Sequence, residues 1–150
     1  MTQRNSIKLY NVLFPFWFLL LLPQLWIIVL PGNFLIDSIV LLVAMACLKV
    51  EDRKTLYKKK ILPIFCFGLL ADLVGAALMF AGLLLEISTM GDEWYLTLPA
   101  VILSAGMIFV FHYFVIFRKE ESSLRLRMAL TFAIVTAPYT FMIPSSWLYG

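Results

Sequence analysis

Three titratable residues, Asp37, Asp72 and His112, stand inside long apolar runs of this sequence. An ionisable group in lipid is costly, so it almost always faces protein or water and marks an ion path, a relay or a binding site. The stretch that sets the problem is 61–86, ILPIFCFGLLADLVGAALMFAGLLLE, with Asp72 close to its middle. At helical spacing Gly68, Asp72, Gly75, Met79 and Gly82 follow in steps of 4, 3, 4 and 3 and share one stripe. Glycines let a neighbouring helix backbone come close. Gly68, Gly75 and Gly82 therefore form a helix-packing groove, and the acid lies in it.

Asp37 follows a turn signal and is expected about one turn inside the outer end of a helix, where the backbone dipole favours negative charge. It reads either as a first-turn carboxylate at the headgroup boundary or as the outer mouth of a polar path. Counting along the helices puts Asp72 roughly 16 Å and His112 roughly 8 Å from the inner boundary. With Ser38, Ser104 and the threonines of the last segment, these groups could line a stepped route for protons or cations. Carboxylates bind hard cations and can carry protons. The competing reading makes Asp72 a hydrogen-bonded link between helices and His112 a ring tied to backbone. No basic residue lies within the apolar cores to neutralise Asp72.

Other chemistries have weaker signals. Cys47 and Cys66 share a layer with His112, but no CxxC or HxxxH spacing accompanies them, so neither a metal nor another cofactor is expected. An aspartyl dyad needs two carboxylates at one depth, and Asp37 and Asp72 are expected roughly three turns of rise apart. Ser104 and His112 are eight residues apart on one helix, about 12 Å along its axis. An enzyme, such as one acting on lipid, is the least favoured class.

The elements that must position these groups follow from composition. Of 150 residues, 63% are hydrophobic and 14% charged, against roughly 45–50% and about 25% in soluble proteins. The expected class is an all-α, polytopic integral membrane protein of the cell membrane, forming a single helical domain. Five spans are expected at 10–30, 34–50, 61–86, 95–117 and 128–148. Pro31-Gly32-Asn33 is the turn between the first two. The last contains Pro138, so a broken or re-entrant helix is its competitor.

Charge sets the expected orientation. All twelve Lys and Arg lie in the N-terminal segment or in the stretches 49–60 and 118–127, which a cytoplasmic N terminus and an external C terminus would place inside. Trp26, Trp94, Tyr95, Trp147 and Tyr149 then fall near the outer interface, and Tyr10, Tyr57 and Tyr113 near the inner one. Lys58, Lys59 and Lys60 are expected to meet anionic lipid headgroups. Nucleic acid is not an expected partner, because no aromatic-interleaved basic surface is present. The leading expectation is a channel or transporter subunit, as a homo-oligomer or in a larger membrane complex. An accessory subunit that docks a partner's helix in the glycine groove is the alternative.

Overall fold

The computed structural model describes residues 22–85 and 94–142, and every regular element among them is helical. A short 3-10 turn, Pro23–Leu25, leads into α1, Trp26–Cys47. Helix α2 is Arg53–Leu84. Helix α3, Trp94–Phe111, continues through a π turn at His112–Ile116. Helix α4, Ser122–Val135, is followed by a 3-10 turn at Tyr139–Met142.

Among the described residues three stretches are long and apolar enough to cross a membrane: Pro23–Cys47, Arg53–Gly82 and Tyr95–Ile116. Their outer faces are bare hydrocarbon. Ile27 is 81% exposed and Ile102 and Phe114 are each 62% exposed, which is what helices facing acyl chains require and what water would penalise.

The first correction concerns Pro31-Gly32-Asn33. The expected turn is absent, and α1 passes through all three residues, so 10–30 and 34–50 are not separate spans. Pro31 removes the bond its N–H would give to Ile27, yet a turn here would free several backbone groups where no water can satisfy them. One missing bond costs less than a reversal in lipid. Residues 1–21, with the first half of the expected first span and the N terminus whose side was expected to be cytoplasmic, lie outside the described residues.

Helix α1 ends instead at Leu48–Val50. The Val50 amide donates to Met45 O at 3.0 Å and the Lys49 amide to Ala46 O at 3.3 Å, with Lys49 at φ 53°. This is a Schellman closure with lysine in the left-handed position that glycine usually takes. Helix α2 then starts at once. The Asp52 carboxylate accepts from the Thr55 amide at 3.4 Å as an N-cap, so the basic segment expected as a loop is the first two turns of α2. The second basic loop shrinks likewise to 117–121, because α4 begins at Ser122 rather than at 128.

The two basic connections meet at one end of the bundle, where the Lys60 ammonium donates to Ile116 O and pairs with Glu120 at 4.0 Å. Trp26 and Trp94 open α1 and α3 at the opposite end. Helix α4 is a further correction. Its 14 residues reach only about 21 Å and stop before Pro138, so the expected 128–148 span is not one continuous helix, and 143–148 lie outside the described residues. Proline disfavours helical backbone in the residue before it, and here the break is complete.

Packing forms two layers. Leu41, Met45, Ile64, Ile108, Phe117, Met128 and Phe132 fill the layer nearer the basic end, and Ala76, Met79, Ala100, Val101, Ala137 and Phe141 fill the other. A methyl group added at Gly32 meets nothing within 4 Å. If the helix is continuous there, Gly32→Ala stabilises the protein by up to about 1 kcal/mol in detergent-driven unfolding. A loss of stability would restore the turn.

Candidate functional site

The unbroken α1 changes where Asp37 lies. It is the twelfth of 22 residues, at the middle of the helix and not near its end. Directly against it, on α2, is Gly68. A methyl group built on Gly68 would lie 3.6 Å from Asp37 Oδ2, an ordinary contact distance that places the carboxylate directly against this point of α2. Asp72 is four residues further along the same face, about 6 Å of rise. The expected three-turn separation of the two acids is therefore overturned and falls to about one turn.

Both carboxylates line a cleft of about 490 Å³. Asn33, one turn before Asp37 on α1, adds an amide to it. The remaining wall comes from the end of α4 and the break after it, including Thr136, Pro138, Thr140 and Phe141. Irregular backbone at membrane depth is tolerated where it lines a cavity or is buried in protein. The break at Pro138 and the acid pair occupy the same cavity.

The electrostatics of the cleft have one sign. The charges of Asp37 and Asp72 act on each other, and no hydrogen bond or ion pair among the described residues joins either acid to a partner. Asp72 Oδ1 is buried and unpartnered. The C-terminal end of α4 adds the negative pole of its backbone dipole, since Val135 and Thr136 face the same space. The hydroxyls differ in availability. Thr136 Oγ1 donates back to Phe132 O at 2.8 Å, and Tyr139 donates to Ile134 O, whereas Thr140 carries no hydrogen bond among the described residues.

Ser104 and His112 belong elsewhere. Ser104 Oγ donates to Ala71 O at 2.9 Å and is fully buried between α3 and α2, a helix-joining bond. His112 Nδ1 donates to Ile108 O at 2.7 Å, and its ring stacks on Phe132 at 4.6 Å within the layer nearer the basic end. Its Nε2 is buried without a partner. Neither residue lines the acid cleft, so the stepped route through all four groups is not assembled.

The glycine groove is filled by the chain itself. Gly75 lies against Ser104, Phe141 and Ala100 O, and Gly82 against Leu96. Of the lysines expected at headgroups, Lys58 and Lys59 are exposed, but Lys60 is drawn into the bundle by Ile116 O and Glu120. Cys47 and Cys66 are exposed while His112 is buried, and among the described residues no group of three His, Cys, Asp or Glu side chains could hold a metal.

No protein-family model, no curated protein and no solved structure matches this chain.

Of the threonines that the sequence set beside the acids, Thr136 and Thr140 line the cleft, whereas Asn33 is a neighbour that sequence reasoning missed. Asn33 was absorbed in a turn signal, although its spacing of four from Asp37 already placed the two on one helical face. The different settings give opposite signs for two substitutions. Asp72→Asn replaces a buried, unpartnered carboxyl group by an amide that never ionises beside Asp37 and raises stability in detergent by about 1 kcal/mol. Ser104→Ala deletes a satisfied interhelical bond and lowers it by roughly 1 kcal/mol. Unfolding midpoints of the two variants check both, and a destabilised Asp72→Asn would mean that the acid is held by a structural partner.

Proposed function

We propose that this chain is a multi-pass cell-membrane transport protein in which the Asp37–Asp72 pair takes up a proton or a small cation. The observation that carries this reading is a pair of acids in one cleft between apolar helices, with a helix C terminus added and no cation lining it among the described residues. Two unneutralised carboxylates in lipid are unfavourable, so they hold protons or a bound cation. Exchange between those occupied states is the elementary step of a carrier or a proton-coupled channel. Carboxylate, amide and hydroxyl oxygens from Asp37, Asp72, Asn33 and Thr140 form a hard-cation ligand set. Ends of broken helices are used for such cations in membrane carriers.

The remaining expectations take their place around this site. The basic end would lie in the cytoplasm by the positive-inside rule. A homo-oligomer or larger complex would enclose the cleft, but the glycine groove is not its docking face, because α3 and the Tyr139–Met142 turn already fill it. That weakens the accessory-subunit reading. An aspartyl hydrolase gains little, since no hydrogen bond links the two carboxylates.

Proteoliposomes carrying a proton- or cation-sensitive dye test the proposal. Wild-type protein gives flux above empty vesicles. Asp37→Asn and Asp72→Asn each lower that flux by tenfold or more, and Ser104→Ala leaves it within about twofold because Ser104 is outside the cleft. Wild-type flux equal to that of empty vesicles removes the transport reading.

A further inference from the structure

At the basic end a second hollow, of about 510 Å³, opens between the first turns of α2, the π turn and the 117–121 connection. Its polar lining has four cations, Lys59, Lys60, Arg118 and Lys119, and two acids, Asp52 and Glu120. The acids are already engaged. Asp52 caps α2 through the Thr55 amide, and Glu120 pairs with Lys60. Lys60 is also held by Ile116 O and lies 5.8 Å from the centre of the Phe117 ring. Three cations are left over. Lys59, Arg118 and Lys119 are exposed and have no ion pair among the described residues.

The same hollow has an apolar half. Val50, Leu56, Val115 and Ile116 line it, and Val115 is 48% exposed beside Phe114, which is 62% exposed. The adjoining residues of α2 start the apolar run at Ile61. Hydrocarbon and charge therefore meet within one concavity, at the level where a bilayer passes from acyl chains to headgroups. Inorganic phosphate would use only the polar half. A phosphate attached to an acyl chain would use both.

We propose that this hollow seats the headgroup of an anionic phospholipid, with Lys59, Arg118 and Lys119 around the phosphate and the start of the acyl chain against Val50 and Val115. Basic hollows between membrane helices bind such headgroups because the cations are fixed at the depth of the lipid phosphate. This differs from diffuse attraction to a lysine run. Lys58 is exposed on the neighbouring face of α2 but does not line the hollow, so it contributes to the diffuse term alone. The site shares no residue with the acid cleft, and its test involves no flux, so the two proposals stand or fall separately.

The full-length chain, purified in detergent and delipidated, is titrated with phosphatidylglycerol, phosphatidylcholine or inorganic phosphate, and bound lipid is counted by native mass spectrometry. The expected result is preferential retention of phosphatidylglycerol over phosphatidylcholine. Arg118→Gln and Lys119→Gln each weaken it about fivefold, the double variant about 25-fold, and Lys58→Gln leaves it within twofold. Equal retention of the two lipids overturns the proposal. So does an equal loss with Lys58→Gln, which would mean diffuse charge, and so does displacement of the lipid by millimolar phosphate, which would mean an anion site indifferent to the acyl chain.

Discussion

A backbone in hydrocarbon has only itself to bond with, and this constraint shapes the rest of the structure. It carries α1 through Pro31-Gly32-Asn33, where in water the same residues would favour a reversal. The continuous helix sets Asp37 at mid-length, beside Gly68 and one turn from Asp72. Where α4 stops after Val135, the irregular backbone that follows lines the acid cleft. One rule thus accounts for both the straight helix and the location of the broken one.

Close packing does the second part of the work. Gly75 and Gly82 bring α3 and the Tyr139–Met142 turn onto α2, while Gly68 meets only the Asp37 carboxylate, at an ordinary contact distance. The stripe is tightly packed at Gly75 and Gly82 and borders the acids at Gly68. Ser104 joins α3 to α2 within the packed region, and His112 bonds back to Ile108 O of its own helix with Nε2 left unpartnered, so neither lines the cleft.

Much of this was legible in the residues. Composition marked the apolar class, the spacing of Gly68, Asp72, Gly75 and Gly82 identified an inward face, and the clustering of cations anticipated that 49–60 and 118–127 meet at one end. The helix over 95–117 was visible as a single apolar run, although its π turn at His112 was not. What failed was punctuation. Pro-Gly-Asn is a water-trained turn signal, and the stretch Glu51–Lys60 reads as a loop because it is charged, although Asp52 is an N-cap and no helix breaker follows until Pro63. Depth was then counted from wrong ends, which separated Asp37 from Asp72. Pro138 was correctly suspected as an interruption, but that its break would border the acids depended on the crossing of helices that no local pattern encodes.

The account rests on the two acids lying within about one helical turn of each other. In a background with Cys47 and Cys66 replaced, cysteine pairs 37/68 and 37/82 treated in native membranes with a short thiol-bridging reagent test this directly. The structure requires efficient cross-linking of 37 to 68 and none of 37 to 82. Cross-linking of 37 to 82 instead would return Asp37 to the end of its helix, away from Asp72, and contradict the paired-carboxylate site.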